Sequence, residues 1–117
     1  MAIILVFIIN MGYVYLICDS KNEYYKIGVT TGSIERRIKK LQTGNGTELH
    51  IVSWFGCAYP FKLEKLLHAK FCSEREHGEW FSLSADKILN FKNICEETQR
   101  TVDILMENPY FNRSLPR

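Results

Sequence analysis

Residues 12–30 read GYVYLICDSKNEYYKIGVT, and this stretch decides the fold. Gly12 to Cys18 is a β-branched and aromatic run that predicts a strand. Asp19 to Glu23 is a polar turn cluster, and Tyr24 to Thr30 predicts a second strand. Strands linked this closely pair as an antiparallel hairpin. Tyr13 and Tyr15 stand two apart on the first strand and therefore share a face. Lys26 precedes Ile27-Gly28, and a glycine there either bulges the strand or lets another group come close to the backbone.

Thr31-Gly32-Ser33 opens a helix, with Ser33 as N-cap and Glu35 in the first turn, where the helix dipole favours an anion. Ile34, Ile38 and Leu41 give this helix one apolar stripe, and Gly44-Asn45-Gly46 ends it. Glu48 to Gly56 predicts a third strand with Leu49, Val52 and Trp54 as core positions. Pro60 starts a second helix through Phe71. Gly78 to Leu83 predicts a short extended piece. Ser84 then caps a third helix whose Ile88, Phe91, Ile94 and Cys95 recur at helical steps, continuing towards Met106. The expected fold is α+β, in the order β-β-α-β-α-β-α. It is a small central antiparallel sheet with an N-terminal hairpin, flanked by about three helices.

At either end the pattern changes. Ala2 to Ile9 is an unbroken apolar run without the basic start or small-residue cleavage site of a signal peptide. It reads as an extra strand or as sequence upstream of a start at Met11, so residues 1–11 form an extension, 12–107 the domain and 108–117 a tail. At 117 residues the chain has the size of one domain, and with 46% apolar residues it is not a disordered one. A net charge of +2 excludes a strongly basic nucleic-acid tail but permits a local basic patch. No apolar run reaches the length of a bilayer span, so no stable membrane association is expected. Cys18, Cys57, Cys72 and Cys95 lack C-x-x-C spacing and sit in apolar contexts, which predicts buried free thiols in a reducing, intracellular compartment.

Chemistry concentrates on two helices. The first carries Arg36, Arg37, Lys39 and Lys40 against the single acid Glu35, either a solvated face or a phosphate-holding one. On the second, Glu64 and His68 are four apart and lie on one face, in a stripe with Phe61 and Phe71. A carboxylate beside apolar neighbours either reaches into water or meets a cation, a metal or a hydrogen bond. Glu and His at this spacing are half a zinc site, and no H-E-x-x-H or cysteine partner completes it.

Taken in order, these segments resemble the GIY-YIG nuclease superfamily, in its short phage and viral DNA-binding branch. Gly12-Tyr13-Val14-Tyr15 resembles the first half-motif, and Lys26-Ile27-Gly28 the second, with Lys in place of the second motif tyrosine. Tyr25 to Thr30, Arg36 to Asn45, Leu63 to His68 and Gly78 to Phe81 follow the branch pattern in order and spacing. The resemblance implies an endonuclease that hydrolyses DNA phosphodiesters with Mg²⁺ or Mn²⁺. The alternative is a DNA-binding module of the same fold that does not cut.

For individual residues, the resemblance implies that Tyr15 orients or deprotonates water, Arg37 holds the scissile phosphate and Glu64 binds the divalent ion. A phenol is a poor base near neutrality, so Tyr15 needs Lys26, Arg37 or the metal close by. Lys26 is expected to position the water or help ionise the phenol. Tyr13, Gly28, Arg36, Lys40 and His68 are the expected DNA contacts. The spacing from Gly28 is one residue long, which leaves Arg36 as a second phosphate candidate, although Ile38 aligns in favour of Arg37. The family's late asparagine has no obvious counterpart. Trp80-Phe81 reads as core packing, Glu79 as an exposed acid or a helper to the metal, and Arg75 and His77 as phosphate candidates. A targeting protein partner is expected to supply sequence choice, since nothing in the chain does.

Overall fold

The computed structural model describes residues 11–108. The extension at 1–10 and the tail beyond 108 lie outside them. The quoted hairpin forms β1 (Gly12–Asp19) and β2 (Tyr25–Thr30), paired antiparallel with Tyr15 opposite Gly28 and Ile17 opposite Lys26. Its turn is organised by Asp19, whose carboxylate accepts from the Lys21 and Asn22 backbone N–H groups at 2.9 and 3.4 Å.

Helix α1 (Ile34–Thr43) starts where Ser33 Oγ accepts from the Arg36 N–H at 3.3 Å, as its cap position requires. Strand β3 (Leu49–Cys57) pairs with β1 on its other side, and helix α2 (Pro60–Lys70) follows with proline in its first turn. A 3₁₀ turn (Cys72–Glu74) leads into β4 (Arg75–His77) and β5 (Trp80–Phe81). Helices α3 (Ala85–Leu89) and α4 (Phe91–Glu107) close the described chain. The five strands form one antiparallel sheet in the order β3-β1-β2-β5-β4. Among the described residues no helix is long and apolar enough to cross a membrane.

The period-two alternation of β1 splits the interior in two. Val14 and Leu16, with Ile27, Leu63, Leu67, Phe71, Phe81 and Phe91, build the larger core beneath α2 and α4. Tyr15 and Ile17, with Leu49, build a smaller one against Ile38 and Leu41 of α1.

Four expectations require correction. Val52 and Trp54 are 38% and 46% exposed, not core, whereas Ser53 and Cys57 turn inward. The cause is a bulge: β1 shifts register between Leu16 and Ile17, pairing with Ser53 and Ile51, so Val52 has no partner and the alternation of β3 resets. Next, the third helix is two. Asn90 gives its backbone N–H and its side-chain amide to the Asp86 carbonyl, which ends α3 before α4 begins. The extended piece at 78–83 is narrower than expected, and β4 precedes it. Gly78 turns this hairpin at φ 55°, a conformation that glycine adopts without strain. Finally, Cys72 is exposed and Cys18 half-buried, whereas Cys57 and Cys95 are buried, and burial pushes those two thiols up to about 11 and about 12.

Candidate functional site

Strand β2 is covered unevenly, and the site forms along the uncovered part of its edge. Strand β5 pairs with Tyr25 and Lys26 only. At the next residue, the Ile27 N–H donates to the Glu79 carbonyl at 3.3 Å. The Ile27 carbonyl accepts from His68 Nε2 at 2.9 Å. A single residue of β2 therefore anchors both the turn that carries Glu79 and the imidazole on α2. The β4–β5 hairpin is held from behind, where Ser82 N–H donates to the Glu74 carbonyl at 2.8 Å and Lys87 pairs with the Glu74 carboxylate.

Tyr15 is fully buried, and its ring lies over Gly28. A Cβ at position 28 would stand 2.3 Å from the Tyr15 hydroxyl oxygen, so only glycine admits the phenol here. The hydroxyl accepts from Arg37 Nε at 3.4 Å, a long bond that hands the guanidinium a direction. That hydrogen bond, with the charge of Glu79 and Glu64 nearby, holds the Arg37 pKa above its ordinary value. Arg37 shares the inward side of α1 with Ile34, Ile38 and Leu41, whereas Arg36 is exposed.

Lys26 projects from β2 with its side chain 12% exposed, and its Nζ lies 2.5 Å from Glu79 Oε2. Its ammonium also sits 5.8 Å from the Trp80 ring centre. Glu64 stands half-buried on α2, one turn before His68. Burial, reinforced by the charge on Glu79, pushes its carboxyl up to about 7 against the pull of Lys26 and Arg37. One donor atom each from Glu64, His68 and Glu79 lie within 4.8 Å of one another, the spacing of ligands around one cation.

Tyr15, Lys26, Gly28, Arg37, Glu64 and His68 are thus brought to one locality from four elements. Tyr13 stands apart from them. It is 37% exposed and lines a separate groove with Ser33, Glu35, Ile51 and Trp54. Arg36 and Lys40 are four apart on the solvent side of α1. Beside the carboxylates, an open pocket continues over α2 past Phe61, Lys65, Cys72 and Arg75. Sequence reasoning missed Lys65 and Cys72 as neighbours of the site. For Lys65 the available signal was the helical repeat 61, 65 and 68, which puts it beside His68; Cys72 lies past the end of α2 in the 3₁₀ turn, where no repeat announces it. Trp80 is half-buried and Phe81 fully buried, and the Phe81 ring stands edge-on to His68 at 5.1 Å.

The edge of a five-stranded sheet thus gathers carboxylates, an imidazole, a lysine and an arginine in a small α+β domain. The family profile of the T5orf172 domain matches residues 12–96, and the chain belongs to that family, a phage-associated, nuclease-like and DNA-binding type. No curated protein and no solved structure matches the chain significantly.

Proposed function

We propose that the protein is a metal-dependent DNA endonuclease of the GIY-YIG type. The observation that carries this reading is the convergence of the Tyr15–Arg37 pair with Glu64 at the uncovered edge of β2. The donor chemistry fits a hard divalent ion such as Mg²⁺ or Mn²⁺. Glu64 offers a half-buried carboxylate that costs free energy to ionise without a cation, and it is the residue that would hold the ion. A divalent ion there supplies a Lewis acid that offsets charge developing on the phosphate and the leaving oxygen.

The chain's own groups do the rest. Arg37 presents a planar fork to the non-bridging oxygens of the scissile phosphate. Tyr15 aims that fork in the resting state, because its hydroxyl is the acceptor for Arg37 Nε. When Arg37 turns to the phosphate, the phenol oxygen is released to orient the attacking water. Lys26 lies two residues before Gly28 on the same face of β2 and adds positive charge to the site, where it is available to position the water. Lys65 and Arg75 extend the positive lining of the pocket and are placed to meet neighbouring phosphates. DNA is the partner, and residues 12–107 are the catalytic unit.

Supercoiled plasmid nicking tests the reading. The purified protein should nick in Mg²⁺ or Mn²⁺ and not in chelator. Glu64→Ala should lower the rate by about 1000-fold, the size of several kcal/mol of lost charge stabilisation. A Glu64→Ala variant that nicks as fast as the parent would remove Glu64 from the chemistry. Metal-independent DNA binding with no nicking would make the domain a binding module.

A further inference from the structure

Two features of the site have no part in the chemistry above, the imidazole of His68 and the carboxylate of Glu79, on which the Lys26 ammonium rests. His68 gives its Nε2–H to a backbone carbonyl, which leaves Nδ1 as the nitrogen with a lone pair. The ring plane is fixed further by the Phe81 edge contact. A histidine tied through one nitrogen to a main-chain oxygen, with the other free, is the arrangement that orients an imidazole towards a metal ion. Glu79 is anchored through its own backbone to the same residue, since Ile27 contributes its N–H to Glu79 and its carbonyl to His68. The two side chains are thereby held in register by one residue. Glu64 completes the set from one helical turn away, with donor atoms of all three within 4.8 Å. Two carboxylates gathered in a partly buried space need positive charge between them, and Lys26 supplies it to one of them.

We propose that the divalent ion is held by Glu64, His68 and Glu79 together, and that Lys26 neutralises Glu79 until the ion displaces it. This rests on the metal-dependent reading and goes beyond it, because the donor set includes nitrogen. Carboxylate sites suit Mg²⁺ and Mn²⁺ alike, whereas an added imidazole favours transition ions over Mg²⁺. The site therefore selects Mn²⁺ over Mg²⁺, and the selectivity resides in His68. Entry of the ion also frees the Lys26 ammonium from Glu79, so loading and the charge available to position the water are coupled.

Metal binding, not cleavage, tests the proposal. Metal-stripped full-length protein is titrated with Mn²⁺ while free Mn²⁺ is followed by electron paramagnetic resonance, with and without competing Mg²⁺. His68→Gln and Glu79→Gln should each weaken Mn²⁺ binding by about 10-fold or more. Lys26→Met should tighten it several-fold, because the internal competitor is gone. His68→Gln should also narrow the preference for Mn²⁺ over Mg²⁺. Bound Mn²⁺ in the parent protein should show coupling to a ¹⁴N nucleus in electron spin echo modulation, a readout that needs no variant to fold. Loss of binding in Glu64→Gln alone, with no nitrogen coupling and with the His68 and Glu79 variants like the parent, would leave a single-carboxylate site and overturn the proposal. Binding unchanged in Glu64→Gln, or no binding by the parent, would overturn the metal reading itself and this proposal with it.

Discussion

The two faces of the sheet are built to different depths. Beneath α2 and α4, twelve buried residues pack into one continuous core. Against α1 the packed cluster is smaller, with Tyr15, Ile17 and Leu49 buried and Ile38, Leu41 and Trp80 partly so. The deep core is built of apolar side chains with two buried thiols, Cys57 and Cys95. The shallow face devotes its largest fully buried side chain to a phenol whose oxygen belongs to the candidate site. The candidate site straddles both: Tyr15 and Arg37 come from the shallow face, whereas Glu64 and His68 ride on α2, whose Leu63 and Leu67 belong to the deep core.

The largest expected effect lies in the deep core. Phe71→Ala removes a side chain that is 1% exposed, and should cost about 3–5 kcal/mol in denaturant unfolding. Because Phe71 ends the helix that carries Glu64 and His68, Mn²⁺ affinity per folded molecule should fall as well. Gly28→Ala attacks the boundary instead. The added methyl meets the Tyr15 ring, so a loss of about 1–3 kcal/mol should come with a disproportionate drop in nicking as the hydroxyl leaves Arg37. A Gly28→Ala protein of parental activity would show that the phenol position does not matter to the chemistry. Ser33→Ala should cost about 1 kcal/mol through the lost cap of α1, the element that covers only the shallow face.

The pH dependence of stability gives a subtler test. The Glu64 carboxyl sits at about 7 in the fold against an ordinary 4.5, so the folded chain retains a proton that the unfolded chain surrenders. Its contribution to stability should be complete below about 4.5, fall as pH rises towards 7, and level off above it. Glu64→Gln, which cannot ionise, should lack that fall in urea titrations across the same window. The smallest effect is expected at Arg36 and Lys40. Alanine at both should shift stability by less than about 0.5 kcal/mol, because neither is buried. If their face touches DNA, the slope of log affinity against log salt should drop by about one per charge removed.

Much of this was legible in the sequence where a local rule acted alone. The hairpin of Gly12 to Thr30, the Ser33 cap and the proline start of α2 each depend on a few adjacent residues, and each forms within a residue or two of its expected bounds. Where the reading failed, a distant partner or an unrecognised stop decided. Val52 and Trp54 look like core residues until β1 imposes a bulge across from them. Asn90 stops a helix that apolar periodicity alone would continue. The motifs pointed to Tyr15, Arg37 and Glu64, with Arg36 as a second phosphate candidate behind Arg37, and packing turns Arg37 inward while Arg36 stays exposed. Glu79 read as an exposed acid or a helper to the metal, because nothing in its neighbours announces the Ile27 peptide it is bound to.

The space over Gly28 has a consequence for heredity. Positions 15 and 28 share it, so neither can drift by itself: enlarging 28 evicts the ring, and shrinking 15 leaves a hole beneath α1. In a randomised library the two sites should behave as a single locus. Most single changes at either would be purged, and survivors would carry compensating pairs whose combined bulk matches one tyrosine plus nothing.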